Sequence, residues 1–201
     1  MPVAIESQTT TALLESLFDL QNDSAWQQLD DRFRPVIVAF ARRLGLGPAD
    51  AADVAQETLS QFVRDYRNGK YDRERGRLRS WIIGIARHRI AELNRGRANR
   101  REHRGQSAIV SLPDDGELGD LWDAECRQAA LCQAMRQLAT ARKVSPRTLE
   151  AFRMHVIEET PPEQVAQTLG TSVRAIYIAK HRCLARLREA MEQLRDVYEL
   201  S

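Results

Sequence analysis

Eleven arginines crowd into residues 73–104, where only Glu74, Glu92 and Glu102 oppose them. The local net charge is +8 in a chain whose formal charge is +2. Of the 30 basic residues only Lys70, Lys143 and Lys180 are lysines. The planar guanidinium fork suits bidentate contacts to phosphate and to the guanine edge. The next stretch, 105–126, has no Lys or Arg and holds Asp114, Asp115, Glu117, Asp120, Asp123 and Glu125. This segregation reads as a basic face for a polyanion followed by an acidic connector, or as a plain solvated surface rich in arginine. Enzyme chemistry has no such focus. His88, His103, His155 and His181 are scattered, and Asp50 and Asp53 share a helix face without further ligands. Cys126, Cys132 and Cys183 are odd in number and fit no zinc spacing. No catalytic residue, metal or cofactor is expected.

Two segments could hold nucleic acid. In YDRERGRLRSWIIGIARHRIAELNRGR, a basic loop feeds a helix with Trp81 near its start and arginines along it. An aromatic beside arginines lets bases stack while phosphates are neutralised. Trp81 equally continues the apolar run from Leu78 to Ile82 and Ile85, and its body fits a core role. The second segment, PPEQVAQTLGTSVRAIYIAKHRCLARLRE, has the layout of a helix-turn-helix. Its first helix ends at Gly170, Ala166 is small where two helices must approach, and Ser172 caps a longer helix. That helix projects Arg174, Tyr177, Ile178 and His181 from its first turns, where the motif meets base edges, with Arg182 and Arg186 suited to phosphates. A helical hairpin with a solvated basic face is the plainer alternative.

The elements that carry these residues all read as helices. The chain has 201 residues, 43% hydrophobic and 29% charged, enough for one domain or two small ones. There is no sustained period-two alternation and no hairpin dipeptide. Helical period predicts a helix at 10–20, then one from a Ser24 cap through Phe40, stopped by Gly45 and Gly47. Asp50 opens a third, with Val54, Leu59, Phe62 and Val63 inward. A long amphipathic helix follows the loop 68–76, offering Arg87, Ala91 and Arg95 on its other side. The pattern fails from about Arg97 to Gly119, which reads as a linker. Beyond it come a helix with Leu131, Met135 and Leu138, one started by Ser145-Pro146, a short one behind a Thr160–Glu163 capping box, and the last long helix. No apolar run approaches 18 residues and the N-terminus has no secretory pattern, so the cytoplasm is the expected compartment.

The order DAADVAQETLSQFV, loop, RLRSWIIGIARHRIAELNR, linker and helix-turn-helix resembles the extracytoplasmic-function sigma factors of bacterial RNA polymerase. The matching residues are Asp50, Ala51, Asp53, Gln56 and Glu57, then Arg79, Trp81, Ile82, Ile85, Ala86, Arg87 and His88. The C-terminal match runs through Ala166, Leu169, Gly170, Ser172, Arg182, Leu187 and Arg188. The resemblance implies an all-α chain of two small helical bundles joined by a flexible linker. It implies an extension at 1–23, sigma region two at 24–100, a linker at 101–127 and sigma region four at 128–198. Asp50, Asp53, Gln56 and Glu57 would bind the clamp of the largest catalytic subunit of core RNA polymerase, and the flap of the second-largest subunit would be a further contact. Asp72, Arg73, Arg75, Arg77, Arg79, Trp81, Arg87, His88 and Arg95 would capture flipped bases and phosphates of the minus-ten element. Ser172, Arg174, Tyr177, Ile178, His181 and Arg182 would read the minus-thirty-five duplex. The acidic linker would thread near the polymerase active site, as a nucleic-acid mimic or as simple spacer.

The departures from the family pattern are Ala52 in place of an acid, His88 in place of Asn, and Tyr177 and Ile178 on the recognition helix. An anti-sigma factor or a Ser/Thr kinase is the regulator such a chain would answer to. Thr58, just after Gln56-Glu57, is a candidate phosphosite: phosphate would add about −1.5 to −2 charge and replace the acid missing at Ala52. The competing class is a helix-turn-helix regulator that works without polymerase.

Overall fold

The computed structural model describes residues 10–17, 19, 22–71, 77–102, 112–141 and 144–198, with the side chains of 10, 11 and 97–102 left aside. All regular elements among them are helical, as the all-α class requires. In chain order they are α1 (Thr10–Ser16), α2 (Asp23–Arg43), α3 (Pro48–Arg67), α4 (Leu78–Glu102), α5 (Asp115–Thr140), α6 (Pro146–Phe152), a π-helical turn (Arg153–Ile157), α7 (Pro162–Thr168) and α8 (Val173–Val197). No helix among the described residues is long and apolar enough to cross a membrane. The chain divides into two compact units, the first ending at Ala129 and the second running from Ala130 to Glu199.

The first unit is built on α2, α3 and α4. Residues four apart share a helix face. Thus Leu29, Phe33, Ile37 and Ala41 line α2, Val54, Thr58 and Phe62 line α3, and Leu78, Ile82, Ala86 and Ile90 line α4, all buried. Each large apolar side chain enclosed this way contributes about 1.5–3 kcal/mol. Leu13 and Leu14 of α1 and Leu17 just after it join this core, and Arg67 Nε donates to the Leu17 carbonyl at 3.3 Å. Phe18 and Leu20, within the helix expected over 10–20, lie outside the described residues.

Local chemistry sets the helix ends. The cap of α2 is Asn22 rather than Ser24: Asn22 Oδ1 accepts from Ala25 N at 3.1 Å, and Ser24 donates its hydroxyl to the same oxygen. Pro35 sits inside α2 on its exposed side. The carbonyl it leaves without an amide therefore lies toward water. Helix α3 starts at Pro48 behind Gly47, which puts Asp50 in the first turn, where the helix dipole favours an acid.

The linker expected over 101–127 is corrected at both ends. Helix α4 continues to Glu102, and α5 begins at Asp115. Asp114 accepts from Glu117 N at 2.9 Å as an N-cap, and Asp115 and Glu117 occupy the first turn. Gly116 and Gly119 obscure the helical period, but the packing of Leu118, Trp122 and Cys126, all buried, holds the helix in place. Trp122 meets Phe40 of α2 edge-on, with ring centroids 5.6 Å apart. Residues 103–111 lie outside the described residues.

The second unit holds α6 to α8 and the later part of α5. Its core joins Ala151, Val165, Ala166, Ile176 and Ala179, with Met154, Leu169 and Val173 packed alongside. On α5 the inward residues include Ala130, Gln133, Ala134 and Leu138, whereas Leu131 is exposed. Gln133 Oε1 accepts from the Tyr198 hydroxyl at 3.1 Å inside this unit.

Candidate nucleic-acid interface

The helix-turn-helix is built from α7, a tight turn and α8. Gly170 adopts φ +57, Gly170 N donates to Gln167 O at 3.2 Å, and Thr171 N donates to Ala166 O at 2.9 Å. This pair of bonds is a Schellman motif, which needs the left-handed residue that glycine supplies. Arg147 of α6 donates to the carbonyls of Leu169 and Gly170, fixing the turn from a third helix. The N-cap of α7 is Pro161 with no side-chain bond, so the expected capping box does not form. Ser172 does cap α8, its hydroxyl accepting from Ala175 N at 3.2 Å. That bond gives Ser172 a positioning task at the start of α8.

Arg174, His181 and Arg182 are exposed, and Tyr177 and Ile178 remain 45% and 42% exposed. Large apolar and aromatic side chains standing out on a basic helix can contact base edges and thymine methyls. Tyr177 does not stand alone. Its ring lies 5.8 Å from that of His155, nearly perpendicular, and His155 Nδ1 donates to the Thr160 carbonyl at 3.0 Å. His155 sits in the π-helical turn. Nothing in its spacing marks it as a partner of a residue 22 positions later.

In the first unit, Arg77 just before α4 is exposed, and the solvent-facing stripe of α4 holds Ser80, Gly84, His88, Glu92 and Arg95, with Glu92 3.6 Å from His88. Asp72, Arg73 and Arg75 lie outside the described residues. Trp81 is half-buried in the first turn of α4, at the end of a run of aromatic contacts. Phe62 stacks on Tyr66 at 5.9 Å, Tyr66 meets Tyr71 at 5.9 Å, and Tyr71 meets Trp81 edge-on at 5.8 Å. The Trp81 ring is thereby packed on the protein, in line with a core role for its body. Its Nε1 is buried with no hydrogen-bond partner among the described residues.

Arg79 and Arg87 are placed differently from the rest. Arg79 Nη1 donates to both Asp123 carboxylate oxygens at 2.7 Å, and Arg87 Nη1 donates to Asp115. Both acids belong to the first half of α5. The segment expected as connector thus neutralises two of the arginines expected to meet DNA.

On α3, Ala52, Asp53, Gln56 and Glu57 are exposed and Asp50 is half-buried, so the acidic patch faces outward. Gln56 Oε1 accepts from Arg34 at 2.6 Å, while Arg34 is held by both oxygens of Asp30 at 2.5 and 2.7 Å. Glu57 stands 3.5 Å from Arg89. These bonds orient the patch across three helices. No three His, Cys, Asp or Glu gather as a metal site among the described residues. Thr58 is corrected. Its side chain is 0% exposed, and its Oγ1 has no hydrogen-bond partner among the described residues. It stands four residues from both Val54 and Phe62 on the buried stripe, so in this fold its hydroxyl is closed to a kinase.

Comparison with known proteins places these helices. The Sigma-70 region 2 family model matches residues 29–101, the span that holds most of α2, the whole of α3 and all but the last residue of α4. Over 175 residues the chain is 24% identical to proteins named ECF RNA polymerase sigma factor SigD from Mycobacterium bovis and from Mycobacterium tuberculosis, covering 83% of this chain and 76% of theirs. A solved structure of CnrH in complex with the cytosolic domain of CnrY aligns at 18% identity with a TM-score of 0.36, over 90% of this chain and 96% of that one. Residues 29–101 thus match the Sigma-70 region 2 family, and over most of its length the chain is similar to extracytoplasmic-function sigma factors of RNA polymerase.

Proposed function

We propose that this chain binds core RNA polymerase and directs it to a specific set of promoters, melting the minus-ten element with its first unit and reading the minus-thirty-five duplex with its second. The observation that carries this reading is the Sigma-70 region 2 match over residues 29–101, within which Asp53, Gln56 and Glu57 face solvent as one patch. That patch is the docking surface for the polymerase clamp. The exposed stripe Arg77, His88 and Arg95 serves the melted strand, where phosphates need cations and unstacked bases need a groove. Arg174, Tyr177, Ile178, His181 and Arg182 serve the duplex from the first turns of a recognition helix. The reaction is performed by the polymerase, and this chain supplies selection and strand separation.

The test is to mix the purified chain with bacterial core polymerase, measure complex formation, and run transcription from genomic fragments. Complex formation with new, promoter-specific starts supports the reading. Sequence-specific duplex binding without any polymerase complex would replace it with an independent helix-turn-helix regulator. Asp53→Arg separates the two at residue level: it should abolish the polymerase complex and leave duplex binding intact.

A further inference from the structure

The arginines of α4 and the acids of α5 meet in register. Arg79 pairs with Asp123 and Arg87 with Asp115. Eight residues separate the two arginines and eight separate the two acids, about 12 Å along each helix. The two segments therefore run antiparallel through the first unit, with ion pairs at both ends of the contact. Gly119 lies midway between the two acids. A Cβ there would come within 3.3 Å of Arg79 Nη2, so the absence of a side chain leaves room for the guanidinium to lie across the helix. Arg43 of α2 adds a third pair with Glu125 at 2.9 Å.

The Arg79–Asp123 pair is largely enclosed, with side chains 22% and 17% exposed. It is shielded from salt far better than a surface pair. Arg87–Asp115 is open, with the aspartate side chain 85% exposed, and contributes little by itself. Leu118, Trp122 and Cys126 anchor the same half-helix by burial. Charge is matched one for one: two guanidiniums meet two carboxylates. The remaining acids of this half-helix, Glu117 and Asp120, are exposed.

We propose that the α4 face carrying Arg79 and Arg87 is a nucleic-acid surface whose resident occupant in the free protein is the acidic first half of α5, and that single-stranded DNA gains this face by displacing Asp115 and Asp123. The proposal rests on the promoter-binding reading of α4. It makes α5 an internal competitor: the free chain binds DNA weakly until the half-helix lifts.

The test measures binding of a fluorescent mixed-sequence single-stranded 20-mer to the full chain across a salt series, without polymerase. Asp115→Asn with Asp123→Asn removes both competitors. Glu117→Gln with Asp120→Asn makes the same change in net charge on the same half-helix without touching α4. The first pair should tighten binding about tenfold or more and the second by less than threefold. Each freed arginine that meets a phosphate should steepen the slope of log affinity against log salt by about 0.7, hence about 1.4 for two. Adding Arg79→Ala and Arg87→Ala should erase the gain. Equal tightening by both charge-matched pairs, or none by either, overturns the proposal.

Asp115→Asn alone, at an exposed position, covers the case in which Asp123→Asn fails to fold. It should give a smaller gain than the pair and still exceed Asp120→Asn alone. Hydrogen exchange on the unaltered chain gives an independent reading. Adding the 20-mer should speed exchange at amides 118–126, and unchanged protection there sinks displacement. Core-polymerase binding by the same proteins separates the two levels. If the unaltered chain binds no polymerase, the sigma reading fails. If it binds polymerase but the paired variants bind DNA alike, only the competitor fails.

Discussion

Tyr177 of α8 stands edge-on to His155, the ring centroids 5.8 Å apart, and His155 is itself tied to the Thr160 carbonyl at 3.0 Å. The π-helical turn thereby holds an exposed aromatic of α8 at a defined angle. An aromatic edge contact is worth about 0.5–1.5 kcal/mol beyond the area it buries. His155→Ala should therefore weaken specific duplex binding by up to about tenfold, while His155→Phe keeps most of it. Because His155 meets no phosphate in this reading, the salt dependence should not change. Fluorescence anisotropy with a promoter duplex measures both quantities.

Thr58 makes an opposite pair of substitutions informative. Its hydroxyl is buried without a partner among the described residues, and valine has nearly the same shape. Thr58→Val should raise stability by about 1 kcal/mol in urea denaturation. Thr58→Glu places a carboxylate in the same enclosure and should cost several kcal/mol. A loss of polymerase binding by Thr58→Glu together with a collapsed melting temperature would then report unfolding rather than a charge on the exposed face of α3.

Asp65 gives the first unit an acid-sensitive component. Burial pushes its carboxyl up, but hydrogen bonds from Gln61 and Lys70 and the charges of Lys70 and Arg64 outweigh that, leaving it below the ordinary carboxylate value. A lowered folded-state value means that the stability it adds is complete above the unfolded value, about 3.9, and is lost as pH falls through the folded one. Melting temperatures from pH 7 to pH 3 should fall more steeply for the unaltered chain than for Asp65→Asn, with the two curves converging at the acid end.

The three thiols should sort by burial. Burial first, and then the neighbouring Asp123 charge, push the Cys126 thiol up to about 12, and burial also raises Cys183. Cys132 is exposed. Brief iodoacetamide treatment at pH 7.5 should modify Cys132 alone, as read by peptide mass spectrometry. Rapid loss of the Cys126 thiol would mean that the first half of α5 opens readily even without DNA.

Legibility followed the range of the forces involved. The helix-turn-helix was readable because its signals are local: Gly170 for the turn, Ser172 for the cap, and Ile176 and Cys183 for the inward stripe. The outward acidic patch on α3 was readable from the same periodicity. That periodicity also places Thr58 inward, between Val54 and Phe62, although a hydroxyl beside charged neighbours reads as surface. The first half of α5 was not readable as structure. Its glycines and acids lower local helix preference, and what holds it is distant in sequence: Phe40 against Trp122, and Arg79 against Asp123, 44 residues away. His155 was missed for the same reason, since its ring finds Tyr177 across a turn that spacing alone does not describe.

The contact between Phe40 and Trp122 also bears on inheritance. The family match stops at residue 101, yet the indole that closes over Phe40 comes from beyond it. A recombination event that exchanged residues 1–102 between relatives would deliver a Phe40 with no lid and leave an orphan tryptophan behind. The piece that can travel as a whole therefore extends at least to Cys126. Any chimaera cut to respect that rule carries the acidic half-helix along with the three helices it covers as a single heritable cassette.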